Sequence, residues 1–128
     1  MLASVRSFDH FCMMIPVLNW NTIIFGPVFK EVRQKLISRY CSEDILRKAF
    51  RLISPVEYDL NIPAERVLIQ YVRYDQLTPS GTVAEYAEKR GIDNVHGYPE
   101  SHATIFLNSS VYKDYAEFLK NKNTGEAR

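Results

Sequence analysis

Three short runs of strand character are separated by longer segments in which the apolar residues have a different spacing. The runs at residues 9–15 and 65–71 are mainly apolar, whereas the run at 94–98 is a weaker pattern that also contains polar residues and a glycine; each predicts a strand. Pro16 stops the first run. In the second run Val67, Leu68 and Ile69 are consecutive, which is typical of a strand covered on both faces.

Between and after these runs the apolar positions follow the spacing of amphipathic helices. Ser42, followed by two acidic residues, predicts a helix start, and Ser110 predicts another. Thr78 is expected to cap a helix that has Pro79 at its first position and ends before Gly91. The region expected to be helical from this spacing runs from 17 to 53, with one segment at 28–40 and the next at 42–53. Further helices are expected at 79–90 and after 110, and the end of another at 2–7.

Strands that alternate with helices predict right-handed crossovers and a parallel sheet. The expected fold is therefore α/β, with a small parallel sheet of about three strands and helices on its faces. We find no internal repeat, no low-complexity segment and no linker rich in Gly and Ser, so residues 1–128 are expected to form a single domain.

Charge and composition exclude several classes of function. The formal net charge is +1 and the Lys and Arg residues are dispersed, so neither nucleic acid nor an anionic membrane is an expected partner. The apolar stretch near the N-terminus lacks the positive charge and the cleavage site of a signal peptide, and prolines and asparagines interrupt it too often for a membrane span. With two cysteines, Cys12 and Cys41, a reducing cytoplasmic location is expected.

Asp75 and His102 are the residues that point most directly to chemistry. Each follows one of two neighbouring predicted strands, and reactive side chains of parallel α/β sheets gather beyond the carboxyl ends of the strands. A histidine that removes a proton from a nucleophile needs a buried carboxylate on its other ring nitrogen. We expect adjacent strands to bring Asp75 and His102 together. Taken singly, Asp75 could instead begin a turn and His102 could be a structural histidine.

The segments around these two residues resemble the C-terminal half of an α/β-hydrolase. Asp75 stands in an Asp-x-x-x-Pro context before a predicted helix, and His102 follows the last predicted strand. The resemblance implies that 9–16 is the strand after the nucleophile helix and that about 17–60 is a helical cap. It also implies hydrolysis of a carboxylic ester or related small acyl substrate, with His102 as general base and acid and Asp75 as its orienting carboxylate. Val72 and Ser101 occupy positions where the family often has glycine.

The nucleophile of such a triad is missing from this sequence. None of the five glycines is followed two positions later by serine, so no nucleophile elbow can form. Cys12 is expected to be buried, Ser4 and Ser7 lack the strained turn, and the Ser101 side chain should point away from its neighbour His102. We regard these four residues as poor substitutes.

Two functional hypotheses remain open. The chain is either a truncated hydrolase that keeps the acid and the histidine of the triad and is inactive alone, or a non-catalytic module that associates with itself. Self-association is expected through the open edge of the first strand or through the cap helices. No cofactor or metal is expected, because His10-x-Cys12 and Glu100-x-His102 do not supply the four ligands of a closed zinc site and no phosphate loop is present.

Overall fold

A computed structural model describes residues 9–123 of the chain. These residues form three strands and five α-helices. The predicted helix end at 2–7, with Ser4 and Ser7, lies outside the described residues. The strands are β1 (Phe11–Met14), β2 (Val67–Val72) and β3 (Val95–Tyr98). The helices are α1 (Trp20–Ile24), α2 (Lys30–Arg39), α3 (Glu43–Leu52), α4 (Ser80–Arg90) and α5 (Ser109–Asn123), and short 3-10 turns cover Pro55–Glu57, Ala64–Arg66 and Ile105–Leu107.

The three strands form one parallel sheet in the order β1, β2, β3. In its register Met14 lies opposite Gln70, and Gln70 lies opposite His96. The segment between β1 and β2 contains α1, α2 and α3, whereas the one between β2 and β3 contains α4. The predicted α/β fold with a small three-stranded parallel sheet is therefore confirmed.

Helices cover the central strand from both sides. On one face Val67 and Ile69 pack in a cluster with Val83 and Tyr86 of α4. On the other face Val72 packs with four other buried residues, Ile15, Tyr98, Ile105 and Val111. As expected from its uninterrupted apolar sequence, β2 is buried on both faces.

The helix ends were predicted with mixed success. As predicted, Gly91 ends α4; its φ of 62° is a left-handed conformation that glycine adopts at little cost. Ser42 caps α3, also as predicted, because its side chain accepts a hydrogen bond from the amide of Ile45.

The other two cap predictions were wrong. The N-cap of α4 is Pro79 rather than Thr78, and the Thr78 side chain bonds to Asp75 instead. At the start of α5, Asn108 accepts a hydrogen bond from the amide of Ser110, so the asparagine takes the capping role that was assigned to the serine. In both places a nearby polar side chain changed the outcome: Asp75 accepts the hydroxyl of Thr78, and Asn108 accepts the amide of Ser110.

Ile15, directly after β1, has a strained backbone. Its φ is 48°, in the left-handed region that β-branched residues rarely adopt. The side chain is buried against the cluster on the α5 face, and its amide donates to the carbonyl of Gln70 at 2.8 Å. These contacts hold a backbone conformation whose cost is on the order of 1–3 kcal/mol.

Most of the apolar stripe of α3 faces outward. Leu46 is buried, but Ile45, Leu52 and Ile53 are 57, 68 and 51% exposed, and Ala49 between them is also exposed. Ile45 and Ala49 are four positions apart and Ala49 and Leu52 are three apart, so these residues, with the adjacent Ile53, share one helix face. We call them the α3 stripe. None of the helices within residues 9–123 has the length and apolar character needed to cross a membrane.

Candidate active site

The turns that follow β2 and β3 carry the two residues singled out in the sequence. β2 ends at Val72, and Asp75 lies in the turn that leads to α4. β3 ends at Tyr98, and His102 lies in the turn before the 3-10 segment Ile105–Leu107. Because β2 and β3 are parallel neighbours, both turns leave the sheet at the same edge.

Asp75 and His102 are in direct contact. The distance from His102 Nδ1 to Asp75 Oδ2 is 2.6 Å, slightly shorter than the usual length of about 2.7–2.9 Å for a charge-assisted hydrogen bond from nitrogen to oxygen. The Asp75 side chain is 1% exposed, whereas that of His102 is 42% exposed. The pair therefore has a buried acid and an open imidazole, which is the arrangement of an orienting carboxylate and a base.

Three further donors surround the carboxylate. Oδ1 accepts hydrogen bonds from the amides of Leu77 and Thr78, at 2.8 and 3.2 Å. Oδ2 accepts one from the Thr78 hydroxyl at 2.5 Å, in addition to the one from His102. Burial alone would raise the pKa of Asp75, but the hydrogen bonds from Thr78, His102 and the two amides outweigh it and hold the pKa below its ordinary value.

The ionised state of Asp75 determines which nitrogen of His102 is reactive. An ionised carboxylate can only accept, so the proton in the contact belongs to Nδ1. In the neutral ring the lone pair is then on Nε2. Within residues 9–123 the His102 side chain forms no hydrogen bond other than the one to Asp75. Nε2 is thus left available to accept a proton from another group.

Of the residues weighed as nucleophiles, Ser101 and Cys12 lie within residues 9–123, and neither completes this pair. The Ser101 hydroxyl lies 2.9 Å from the Thr104 hydroxyl rather than against His102. Burial raises the pKa of the Cys12 thiol to about 11, which disfavours a thiolate. The cavity that Thr78 helps to line measures about 10 Å³, too small for an acyl chain. A much larger open groove of about 300 Å³ lies beside Lys48 and Leu52, and neither Asp75 nor His102 lines it.

A second histidine–carboxylate pair lies on the α5 face of the sheet. His96 Nδ1 is 2.9 Å from Asp114 Oδ2, and the same oxygen accepts the hydroxyl of Tyr98 at 2.6 Å. Gln70, which is fully buried, donates to the Tyr98 hydroxyl at 2.9 Å and to the Val111 carbonyl at 2.7 Å. Burial, followed by the hydrogen bond to Asp114, raises the pKa of the tyrosine well above its ordinary value.

The sequence reasoning missed this second network. Its histidine comes from β3 and its acid from α5, 18 positions later. The available signal was Gln70, a polar residue in the middle of an otherwise apolar buried run, since such a residue must find partners. The network ties α5 to the sheet.

No group of three or more His, Cys, Asp or Glu side chains among the described residues is arranged to hold a metal ion. No protein-family model matches this chain, and no curated protein matches it.

Proposed function

We propose that this chain carries the acid–base part of an esterase-like hydrolase site, and that the nucleophile and the oxyanion hole come from sequence outside these 128 residues or from another chain. The observation that carries the proposal is the 2.6 Å contact between Asp75 and His102 at the carboxyl edge of two parallel strands. The resemblance of the surrounding segments to the C-terminal half of an α/β-hydrolase supports it. The substrate class that follows is a small carboxylic ester or related acyl compound.

In this proposal His102 takes up a proton and gives it back in each of the two halves of the reaction. Nε2 removes the proton from a serine hydroxyl while the serine oxygen bonds to the ester carbonyl carbon. The imidazolium, stabilised by Asp75, then gives that proton to the departing alkoxide as the carbon–oxygen bond breaks. Water enters in place of the alcohol, and the same two transfers release the acid and restore the serine.

The first test is a comparison of wild-type chain with His102→Ala, using p-nitrophenyl acetate as an activated ester. Without a serine the chain is not expected to work as an esterase, but Nε2 can still take a proton from water as the water oxygen bonds to the acetyl carbon and nitrophenolate leaves. For this activated ester we therefore expect a slow residual hydrolysis that depends on His102. His96→Asn is the matched control, because His96 is also 42% exposed and also contacts a carboxylate. We expect this variant to hydrolyse the ester like wild type.

Intact-mass analysis after treatment with a fluorophosphonate tests the location of the nucleophile. We expect no stoichiometric adduct on this chain. A single adduct whose formation requires His102 would mean that a serine of this chain is activated, and it would overturn the proposal that the nucleophile lies elsewhere. Equal ester hydrolysis by wild type and His102→Ala would refute the acid–base role itself.

A second candidate function is self-association without catalysis, and the α3 stripe favours it. A partner of suitable shape is a second copy: a two-fold axis beside Ala49 places Ile45 of one copy against Ile53 of the other. In this antiparallel pair Glu43 and Asp44 in the first turn of α3 lie near Arg51 in the last turn of the other copy. Each of these side chains also has an ion-pair partner within its own chain. β1, whose only strand neighbour among the described residues is β2, offers a further edge for pairing.

Sedimentation equilibrium tests whether the α3 stripe forms the interface. We expect Ile45→Glu to convert a dimer to a monomer, whereas Leu107→Glu, at an 84% exposed apolar residue outside the stripe, should leave the dimer intact. A wild-type monomer at high concentration would exclude self-association. We also propose a cytoplasmic location, which the two free thiols Cys12 and Cys41 support.

A further inference from the structure

We infer that Thr78 is the positioning residue of the Asp75–His102 pair, because its hydroxyl and its amide hold the Asp75 carboxylate in the orientation that faces His102. The inference rests on the proposed function, since orientation matters for catalysis only if His102 acts as the base. The hydrogen bonds of the Thr78 hydroxyl and amide go to Asp75, so Thr78 acts on His102 through that carboxylate.

The two oxygens of Asp75 receive different partners, and Thr78 contacts both. Its amide donates to Oδ1 at 3.2 Å, together with the amide of Leu77 at 2.8 Å. Its hydroxyl donates to Oδ2 at 2.5 Å, the oxygen that His102 contacts at 2.6 Å. Rotating the carboxylate about its Cβ–Cγ bond would break the hydroxyl contact and the backbone contacts together. The group is therefore fixed in one plane.

Burial makes this arrangement effective. Thr78 is 6% exposed and the Asp75 side chain is 1% exposed, so water does not readily replace the hydroxyl as a donor. Of the three residues Thr78, Asp75 and His102, only His102 has a side chain that is partly open to solvent. An exposed imidazole keeps a single orientation when its carboxylate partner is itself immobile. Thr78 supplies that immobility from the turn that begins α4.

The test compares Thr78→Val, which keeps the shape and loses the hydroxyl, with Thr78→Ser, which keeps the hydroxyl. Thr82→Val is the matched control, since it makes the same chemical change four residues later, where no side-chain hydrogen bond to Asp75 exists. Three quantities are measured: the titration midpoint of the Asp75 carboxyl by ¹³C NMR, the His102 tautomer by ¹⁵N NMR, and p-nitrophenyl acetate hydrolysis.

We expect Thr78→Val to raise the Asp75 midpoint, to reduce the share of the Nδ1–H tautomer and to lower ester hydrolysis by about tenfold to a hundredfold. Thr78→Ser should restore all three readouts, and Thr82→Val should leave them at their wild-type values. If Thr78→Val does not fold, the wild-type Thr78 hydroxyl proton decides the matter. We expect it to exchange slowly and to lose that protection when Asp75 is protonated.

The outcomes separate the two proposals. If both NMR readouts in Thr78→Val match wild type, or if the hydroxyl proton exchanges freely in wild type, the positioning role is wrong, whatever the hydrolysis rates. If Thr78→Val shifts the NMR readouts while His102→Ala hydrolyses the ester like wild type, positioning stands and the acid–base function fails.

Discussion

Gln70 places an amide in the middle of the sheet, and replacing it should reveal how much the network on the α5 face stabilises the protein. The side chain is fully buried and donates to the Tyr98 hydroxyl and to the Val111 carbonyl. Gln70→Met keeps a similar shape and removes these two hydrogen bonds, together with the weaker one that Oε1 accepts from Cys12 Sγ at 3.7 Å. At about 1 kcal/mol for each of the first two bonds, we expect a loss of about 2 kcal/mol in the free energy of unfolding.

Gln70→Glu should be worse at neutral pH. The introduced carboxylate cannot donate to the Val111 carbonyl, and it lies near Asp114, with which it shares Tyr98 as a neighbour. An unpaired buried charge costs about 3–5 kcal/mol. That is a large share of the total stability of an ordinary domain, about 5–15 kcal/mol.

The difference between the two variants should depend on pH. Burial raises the pKa of the introduced carboxyl in the folded state above its unfolded value of about 4.3. The penalty is therefore absent below the unfolded pKa and grows as the pH rises towards the folded pKa. Relative to Gln70→Met at the same pH, Gln70→Glu should be markedly less stable at about pH 7 and nearly equal at about pH 4.

Urea unfolding followed by far-ultraviolet circular dichroism and by the fluorescence of Trp20, the one tryptophan, measures these differences. Because both variants are measured at each pH, the contribution of the native acidic residues to the pH dependence of stability cancels in the difference between them. Equal stability of the two variants at about pH 7 would refute the reasoning, because it would mean that the side chain at this position is not enclosed between β2 and α5.

Three further changes test other parts of the structure. Gly97→Ala would place a methyl group 2.6 Å from Cζ of the Tyr71 ring, so we expect the free energy of unfolding to fall by about 1–3 kcal/mol. This loss should be smaller when Tyr71→Ala is also present, and additive losses would contradict the contact. Ser42→Ala removes the cap of α3 and should cost about 1 kcal/mol by urea unfolding, and no change would mean that the cap is not formed. Hydrogen bonds from Tyr98, then His96, hold the pKa of Asp114 below its ordinary value, so its stabilisation is present above the unfolded pKa and is lost as the pH falls through the folded pKa. Asp114→Asn should therefore lose less stability than wild type on acidification, and an equal loss in the two proteins would argue against that lowered pKa.

The strands were predictable to within about two residues because their signal is local. Val67 to Ile69 is an uninterrupted apolar run, and the structure places it in a strand that is buried on both faces. The contact between Asp75 and His102 could also be anticipated, since parallel neighbours end at the same edge. Their catalytic role stays a prediction.

The partners of polar side chains could not be predicted in this way, whether they are local or on another element. Thr78 has the sequence context of a helix cap, and only the folded turn shows that its hydroxyl reaches Asp75. The link between His96 and Asp114 depends on how α5 lies on the sheet. The exposure of the α3 stripe could not be predicted either, because the spacing of apolar residues shows which of them share a face but not what that face contacts.

The parallel order of the strands also has a consequence for the order of folding. Ile69 and Val95 pair across 26 positions of sequence, whereas Phe11 and Val67 pair across 56. Closing the longer loop costs about 0.7 kcal/mol more in chain entropy. We therefore expect β2, α4 and β3 to assemble first and β1 to join them late. Substitutions in β1 should then act mainly by speeding unfolding, and those in β2 and β3 by slowing folding.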